Sequence, residues 1–281
     1  MKETRKPRRV RRTSQSVARA DSSVLTAPPA WRRHAWRALA LWALVLAAYS
    51  NSFRAGLVFD SAMVITGDTR IRAATPRNLG LILTEGYWHG NTTSGLYRPL
   101  TTASYLVNYA VFGNGTNPAG SHWVNLALHS ANVLLVYLLG LLVLGEAAPA
   151  FALAALWGVH PLLTESVTNI VGRADLLAAF GVLAGLLSYA KSASATGWRK
   201  LLWVAAMLIA QAVGVFSKEN AVVLPGVLLL YDLTWRKRAA WRASALAYAA
   251  LALPLAAFFY LRVPLPMSIV ARRRIAMLVR E

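Results

Sequence analysis

The feature that most constrains this chain is a series of long apolar runs that recur along most of its length. About 20 apolar residues in a helix cross a hydrocarbon core of roughly 30 Å. A helix is favoured because it satisfies every backbone hydrogen bond inside the segment, which lipid requires. The chain is also 57% hydrophobic, above the roughly 45–50% of ordinary soluble domains. The sequence therefore predicts an all-α, polytopic membrane helix bundle.

We expect about seven transmembrane helices, joined by one long polar loop and several short connections. The predicted spans cover residues 36–50, 122–144, 150–159, 176–190, 201–216, 221–233 and 243–261. The pair His160–Pro161 predicts a break after the third span, because a residue before proline avoids the helical conformation. The predicted units are a disordered basic tail (1–35), a transmembrane domain (36–262) that contains the long loop (51–120), and a basic C-terminal tail (263–281).

The distribution of charge predicts how the chain is oriented. Lys and Arg number 30 against 11 Asp and Glu, which gives a net charge of +19. The basic residues cluster in the N-terminal tail, in segments 191–200 and 234–242, and near the C-terminus. Cytoplasmic segments of membrane proteins collect Lys and Arg, so the N-terminus is predicted to be cytoplasmic and segments 51–120, 160–175 and 217–220 extracytoplasmic. The same clustering argues against nucleic-acid binding, which needs a basic surface on one domain.

Two further observations bear on this picture. The arginines at 272–274 depart from the charge rule, and we expect such a departure either where the seventh span does not cross fully or where a longer membrane domain stops early. The chain has no cysteine, which excludes disulfides and thiolate metal sites.

Ionisable side chains at the membrane boundary are the candidates for a functional site, because their desolvation must be compensated. The candidates on the predicted outer side are Asp60, His122, His160, Glu165, Arg173, Asp175, Lys218 and Glu219. A carboxylate such as Asp60 is suited to receiving a proton or binding a metal ion. A cation such as Lys218 is suited to a phosphate carried on a lipid. Their common side favours an extracytoplasmic active site.

Each candidate also has a purely structural interpretation. Asp60 could be an ordinary interfacial carboxylate, Glu165 and Arg173 an internal ion pair, and Lys218 a side chain that extends to the headgroups. His129 and Asn132 share a helix face with His122, and we assign these two to hydrogen bonds between helices.

Four segments carry a resemblance to a known family: YRPLTTASYLVNYAVFG, SHWVNLALHSANVLLVY, ALWGVHPLLTESVTNIVGRADLLA and FSKENAVVLPGVLLLYDL. Together they resemble the membrane half of the transmembrane and tetratricopeptide-repeat-containing (TMTC) proteins. That family is similar to the protein O-mannosyltransferases within the GT-C class of polytopic glycosyltransferases. The order HPxxTExV, GRADLL, SKE is specific, and the resemblance covers residues 36–262.

The resemblance implies a GT-C-like bundle that transfers a sugar, usually mannose, from a polyprenyl-phosphate donor to a protein Ser or Thr hydroxyl outside the cytoplasm. It implies that Asp60 is the catalytic acidic residue of the first outer loop, and that its carboxylate acts as a base or as a metal ligand. Arg173 and Lys218 would bind the donor phosphate. The supporting positions would be His160, Glu165, Asp175, Glu219 and His122. No cofactor is certain, and the need for a divalent cation stays open.

Two departures from the family pattern leave alternatives open. Relatives often have a second acid directly after the first, whereas this chain has Ser61. The family also has more spans and tetratricopeptide repeats, and no 34-residue repeat is present here. A catalytically degenerate homologue that binds lipid-linked sugar or acts as a scaffold is therefore the first alternative. A transporter is the second, although its charged site would lie at the midplane rather than at one face.

Overall fold

The computed structural model describes residues 30–90, 94–236 and 245–262, which form helices and turns without a strand. The all-α membrane class is thereby confirmed. The helices are α1 (Ala30–Tyr49), α2 (Asp60–Ala62), α3 (Pro76–Thr84), α4 (Pro99–Leu106), α5 (Pro118–Leu144), α6 (Ala147–Gly158), α7 (Thr164–Thr168), α8 (Arg173–Ser194), α9 (Gly197–Ser217), α10 (Leu224–Trp235) and α11 (Ala245–Arg262). The C-terminal basic tail and all but the last residues of the N-terminal one lie outside the described residues.

All seven predicted spans coincide with helices, but within the described residues only four are long and apolar enough to cross a membrane. These are α5, α8 with the turn before it, α9 and α11. A fifth is reached if α6 and the segment Pro161–Thr168 form one span bent by 50°. The other two predicted spans fall short for different reasons. α10 has 12 residues, about 18 Å of helix, and α1 carries Arg32, His34 and Arg37.

The chain does break at His160–Pro161, as the sequence predicts. Helix α6 ends at Gly158, and a 3₁₀ turn over Pro161–Leu163 follows. The Nδ1 atom of His160 accepts a hydrogen bond from the backbone N–H of Leu162 (3.3 Å). This bond satisfies a donor that the interrupted helix would otherwise leave unpaired.

Helix α5 is the centre of the bundle. Helices α1 and α6 pack against it and against each other, α8 packs on it, α9 packs along α8, and α11 packs on α9. The buried polar side chains of α5 join it to its neighbours. Asn132 Nδ2 donates to the Leu176 carbonyl (2.9 Å), and the His129 Nε2 atom lies 2.8 Å from the Gly158 carbonyl. The predicted role of these two residues between helices is confirmed.

Small residues allow α8 and α9 to approach closely. A Cβ atom on Gly181 would lie 2.6 Å from both the Ala210 carbonyl oxygen and the Gly214 Cα. No side chain fits in that space, so glycine is required where the two backbones cross.

The two ends of the bundle differ in their cover. Helices α2–α4 and their connections cover one end, which we call the loop end. There Thr101 Oγ1 donates to the Ser217 carbonyl (2.8 Å), and Phe53 packs on Trp123 with ring centroids 4.8 Å apart. We call the other end the far end, and the α5–α6 and α8–α9 connections, the end of α10 and the start of α11 lie there. The 27 residues of α5 separate the two ends by about 40 Å.

Candidate functional site

The loop end contains a cavity of about 410 Å³. Helix α7, the turn into α8, the connection between α9 and α10, and the long loop all contribute to its walls. Its lining residues are Asp60, Tyr87, Trp88, Arg98, Glu165, Ser166, Asn169, Val171, Gly172, Asp175 and Lys218. Four predicted site residues, Asp60, Glu165, Asp175 and Lys218, thus meet at one cavity although up to 158 positions separate them in sequence.

Asp60 begins α2 directly after an unusual backbone turn. Phe59 has φ 47° and ψ −127°, the one positive φ outside glycine in the described chain. The Ser61 N–H donates to the Val58 carbonyl (3.0 Å) and closes this turn. Such a conformation costs a non-glycine residue about 1–3 kcal/mol and occurs most often at functional sites. The turn leaves the Asp60 carboxylate exposed at the cavity.

Ser61, which replaces the second acid expected from the family, is buried and structural. Its Oγ atom donates to Oδ1 of Asn169 (2.7 Å) in the turn before α8. This bond ties the segment that carries Asp60 to the opposite cavity wall. Gly172 allows the same wall to close up, because a Cβ there would lie 2.3 Å from the Ser166 carbonyl oxygen.

Two ion pairs stand at the cavity, and each joins segments that are distant in sequence. Lys218 Nζ lies 2.6 Å from Oδ1 of Asp175. The guanidinium of Arg98 donates twice to the Glu219 carboxylate, at 2.8 and 3.1 Å. Burial by itself raises the pKa of Glu219, but these bonds from Arg98 outweigh it and hold the pKa below its ordinary value. Two cations therefore face the cavity, each already paired with a carboxylate.

Arg173 does not line the cavity, in contrast to its predicted contact with a donor phosphate. Its side chain is fully buried behind the wall. The guanidinium donates to the side-chain oxygens of Asn125 (2.9 Å) and Asn108 (3.0 Å) and to two backbone carbonyls. It also lies 4.7 Å from the centroid of the Tyr105 ring. Four hydrogen bonds and an aromatic face thus satisfy the Arg173 guanidinium inside the protein.

Three other predicted supporting residues are also absent from the lining: Glu219, which is paired with the lining residue Arg98, His122 and His160. His122 is buried, with Nε2 3.2 Å from the Ala55 carbonyl and its ring edge-on to Phe53. These contacts hold the segment after α1 against α5. His160 is exposed and caps its own turn.

Seven lining residues were not among the predicted site residues, and three of them, Arg98, Tyr87 and Trp88, add a charge or an aromatic surface to the cavity. The Arg98 guanidinium also lies 5.3 Å from the centroid of the Tyr87 ring. Arg98 precedes the proline that begins α4. The sequence signal for this residue was the motif YRPL, which places a cation at the start of a helix. Burial raises the pKa of Tyr87 well above its ordinary value, so this phenol stays neutral.

Arg70 fixes the position of the aromatic pair. It is buried and paired with Asp68 (2.8 Å), and it donates to the carbonyls of Gly86 and Tyr87, each at 3.0 Å. The Tyr87 N–H donates to the Leu96 carbonyl (2.7 Å). The wall that Tyr87 and Trp88 form is therefore held by the protein itself.

The cavity combines a carboxylate that can accept a proton with two cations that can bind an anion. Across the described residues, no three His, Cys, Asp or Glu side chains come close enough together to hold a metal ion. The part of the chain that the structure describes thus offers no ready set of ligands for the divalent cation left open above.

The far end contains a second charge cluster, formed by the side chains of Asp232, Tyr189, Arg236 and Tyr248. The Asp232 carboxylate is buried and accepts hydrogen bonds from both tyrosine hydroxyls and from the Arg236 guanidinium. The cavity beside it measures about 30 Å³, room for roughly two water molecules.

Comparisons with known proteins give relatives for most of the chain. Protein O-mannosyl-transferase TMTC4 of Homo sapiens is 32% identical over 233 residues, which covers 75% of this chain and 30% of the relative. Protein O-mannosyl-transferase Tmtc2 of Drosophila melanogaster is 34% identical over 202 residues, 67% of this chain and 21% of the relative. The chain thus spans less than a third of the length of these relatives.

No family model and no solved structure matches the chain. The curated relatives, together with the apolar helices, show that the chain is an integral membrane protein of the TMTC-like type, related to the protein O-mannosyl-transferases of that name.

Proposed function

We propose that the chain is a membrane glycosyltransferase that moves a sugar, mannose by analogy with the named relatives, from a polyprenyl-phosphate to a protein Ser or Thr hydroxyl. The observation that carries this proposal is the shared cavity, where the Asp60 carboxylate faces the same space as the cations Arg98 and Lys218. Removal of the proton from a hydroxyl needs a carboxylate as the base, and a phosphate leaving group needs cations that offset its charge.

The reaction follows from these roles. The acceptor oxygen attacks the anomeric carbon of the sugar while the bond from that carbon to the phosphate oxygen breaks. Asp60 takes the hydroxyl proton, and the charge left on the polyprenyl-phosphate is offset by Arg98 and Lys218. Direct displacement of this kind inverts the anomeric centre. The role predicted for Arg173 passes to Arg98, because Arg173 has its hydrogen bonds inside the protein.

We further propose that the cavity faces the extracytoplasmic side. The far end carries Lys191, Arg199, Lys200 and Arg236 in or beside the connections between helices. Basic connections stay in the cytoplasm, so the loop end lies on the other side of the membrane.

The decisive experiment uses the full chain in proteoliposomes with polyprenyl-phosphate-mannose and a threonine peptide. We expect Asp60→Asn to lower the transfer rate by about 100-fold or more, since a positioned base contributes about 10²–10⁴-fold. Glu146→Gln is the matched control, because Glu146 is also an exposed acid but lies at the far end. Transfer by Asp60→Asn at the wild-type rate would refute the base role.

A second candidate function is binding of lipid-linked sugar without turnover. The observation in its favour is Ser61, which is buried against Asn169 where the family pattern has a second acid. Saturable binding of polyprenyl-phosphate-mannose by the wild type, without transfer to any peptide, would select this function.

A further inference from the structure

We propose that a smaller cavity beside the main one is a subsite for an aliphatic side chain of the acceptor peptide, next to the residue that carries the hydroxyl. This cavity measures about 110 Å³ and is lined by Met63, Val64, Gly67, Asp68, Tyr87, Trp88 and His89. The identity of its ligand as an acceptor peptide rests on the proposed function.

The two cavities are neighbours that share one wall. Tyr87 and Trp88 line both of them. The helical segment from Asp60 to Gly67 runs along both as well, with Asp60 at the large cavity and Met63 and Val64 at the small one. Three helical residues advance by about 4.5 Å, and neighbouring peptide residues are about 3.8 Å apart. A peptide whose hydroxyl reaches Asp60 therefore places an adjacent side chain at the small cavity.

The lining of the small cavity favours an apolar occupant. Met63, Val64 and Trp88 present aliphatic and aromatic surface. The Asp68 carboxylate is already paired, because the Arg70 side chain and backbone both donate hydrogen bonds to it. His89 lies within hydrogen-bond distance of Thr69 (3.1 Å) and Glu85 (3.3 Å). Hydrophobic contact is the main interaction that this lining offers.

The location of the small cavity argues for a peptide over a lipid tail. Its lining lies wholly within residues 63–89, in the long loop, and includes no residue of the candidate spans. We therefore assign the small cavity to the peptide and not to a polyprenyl chain that lies between the spans. The hydrogen bonds from Arg70 to Gly86 and Tyr87 hold the shared wall in place, so the subsite exists before the peptide binds.

The test compares two synthetic peptides, each with one threonine that has either leucine or alanine on both sides. For the wild type we expect kcat/KM to be about 10-fold higher for the leucine peptide, the size of effect that a small apolar pocket provides. Met63 is 61% exposed at the small cavity, so Met63→Trp adds bulk without disturbing the core. This variant should bring the leucine-to-alanine ratio close to one.

Two further variants keep the result interpretable. Leu83→Trp is the matched control, because Leu83 is 57% exposed in the same loop but lines neither cavity. It should leave the ratio unchanged. Met63→Ala removes lining surface without adding bulk and should lower the ratio as well. A wild-type ratio near one overturns the proposal. So does an equal change for both peptides in the Met63 variants, which is the result for a cavity that is filled by lipid or is only structural.

Measurements of peptide binding test the subsite independently of the proposed transferase function. If neither peptide accepts sugar, fluorescence anisotropy with the same two peptides still tests the subsite. About 10-fold tighter binding of the leucine peptide that Met63→Trp abolishes would retain the subsite while the transferase function fails. Equal binding of the two peptides would overturn the subsite.

Discussion

The two ends of this bundle both carry ionised side chains, but they use them differently. At the far end the Asp232 carboxylate is buried and surrounded by three donors, beside a space of about 30 Å³. At the loop end the pair of Lys218 and Asp175 is partly exposed and borders a cavity of about 410 Å³. Of these two clusters, only the one at the loop end borders enough open space for a ligand.

The largest expected effect tests the far end as a structural element. Asp232→Ala removes the buried carboxylate that the Arg236 guanidinium and two tyrosine hydroxyls share as an acceptor, so we expect a loss of about 3–5 kcal/mol of stability, as for other broken buried pairs. Asp175→Ala at the loop end should cost about 0–1 kcal/mol, because its side chain is 40% exposed. Thermal unfolding of both variants in detergent measures the difference. Equal losses would end the distinction between the two ends.

The second prediction applies the same distinction within the loop end, to Arg173 and Lys218. Arg173→Lys keeps the charge but not the fork that reaches four acceptors, so we expect about 2–3 kcal/mol of lost stability from unpaired buried groups. Lys218→Gln should fold normally and raise the KM for polyprenyl-phosphate-mannose about 10-fold, the loss of one charge-assisted hydrogen bond. Steady-state kinetics on the folded fraction separates the two. A donor KM that rises only in Arg173→Lys would restore Arg173 as the phosphate ligand.

The smallest effect concerns Glu219, whose pKa the bonds from Arg98 hold below its ordinary value. A depressed carboxyl pKa gives stability that is present at neutral pH and is lost as the pH falls below about 4.5 toward the folded-state pKa. We expect the wild type to lose slightly more stability over this range than Glu219→Gln does. Unfolding midpoints between pH 6 and pH 3 measure it, and parallel curves would contradict the link.

The sequence predicted the helices well because apolar runs and proline act locally. The break at His160–Pro161 and the helix at each of the seven positions follow from such local signals. The number of spans was predicted too high within the described residues, seven against four or five, for example because α10 is helical yet only 12 residues long. Length and composition together, not periodicity alone, decide whether a helix can cross the bilayer.

The site was harder to predict because the direction of a side chain, as well as its position in the sequence, decides whether it lines the cavity. Arg173 and Asp175 are two residues apart on one helix, which turns the second by about 200° from the first. They therefore point to opposite sides, and the sequence alone does not say which one faces the cavity. Arg98 was missed for a different reason, since its partner Glu219 lies 121 residues away in the chain. No local pattern identifies such a pair.

The paired state of Arg98 and Lys218 has a consequence for selectivity among lipids. Phospholipid headgroups outnumber any carrier lipid in a biological membrane, and each bears a phosphate. A bare cation at the bilayer surface would be occupied by the most abundant of them. Because Glu219 and Asp175 already partly neutralise the two cations, a phosphate that approaches either cation is attracted more weakly than by a bare one. Under the proposed function, a ligand that makes further contacts in the cavity offsets this weaker attraction, which would favour the carrier lipid over the abundant phospholipids.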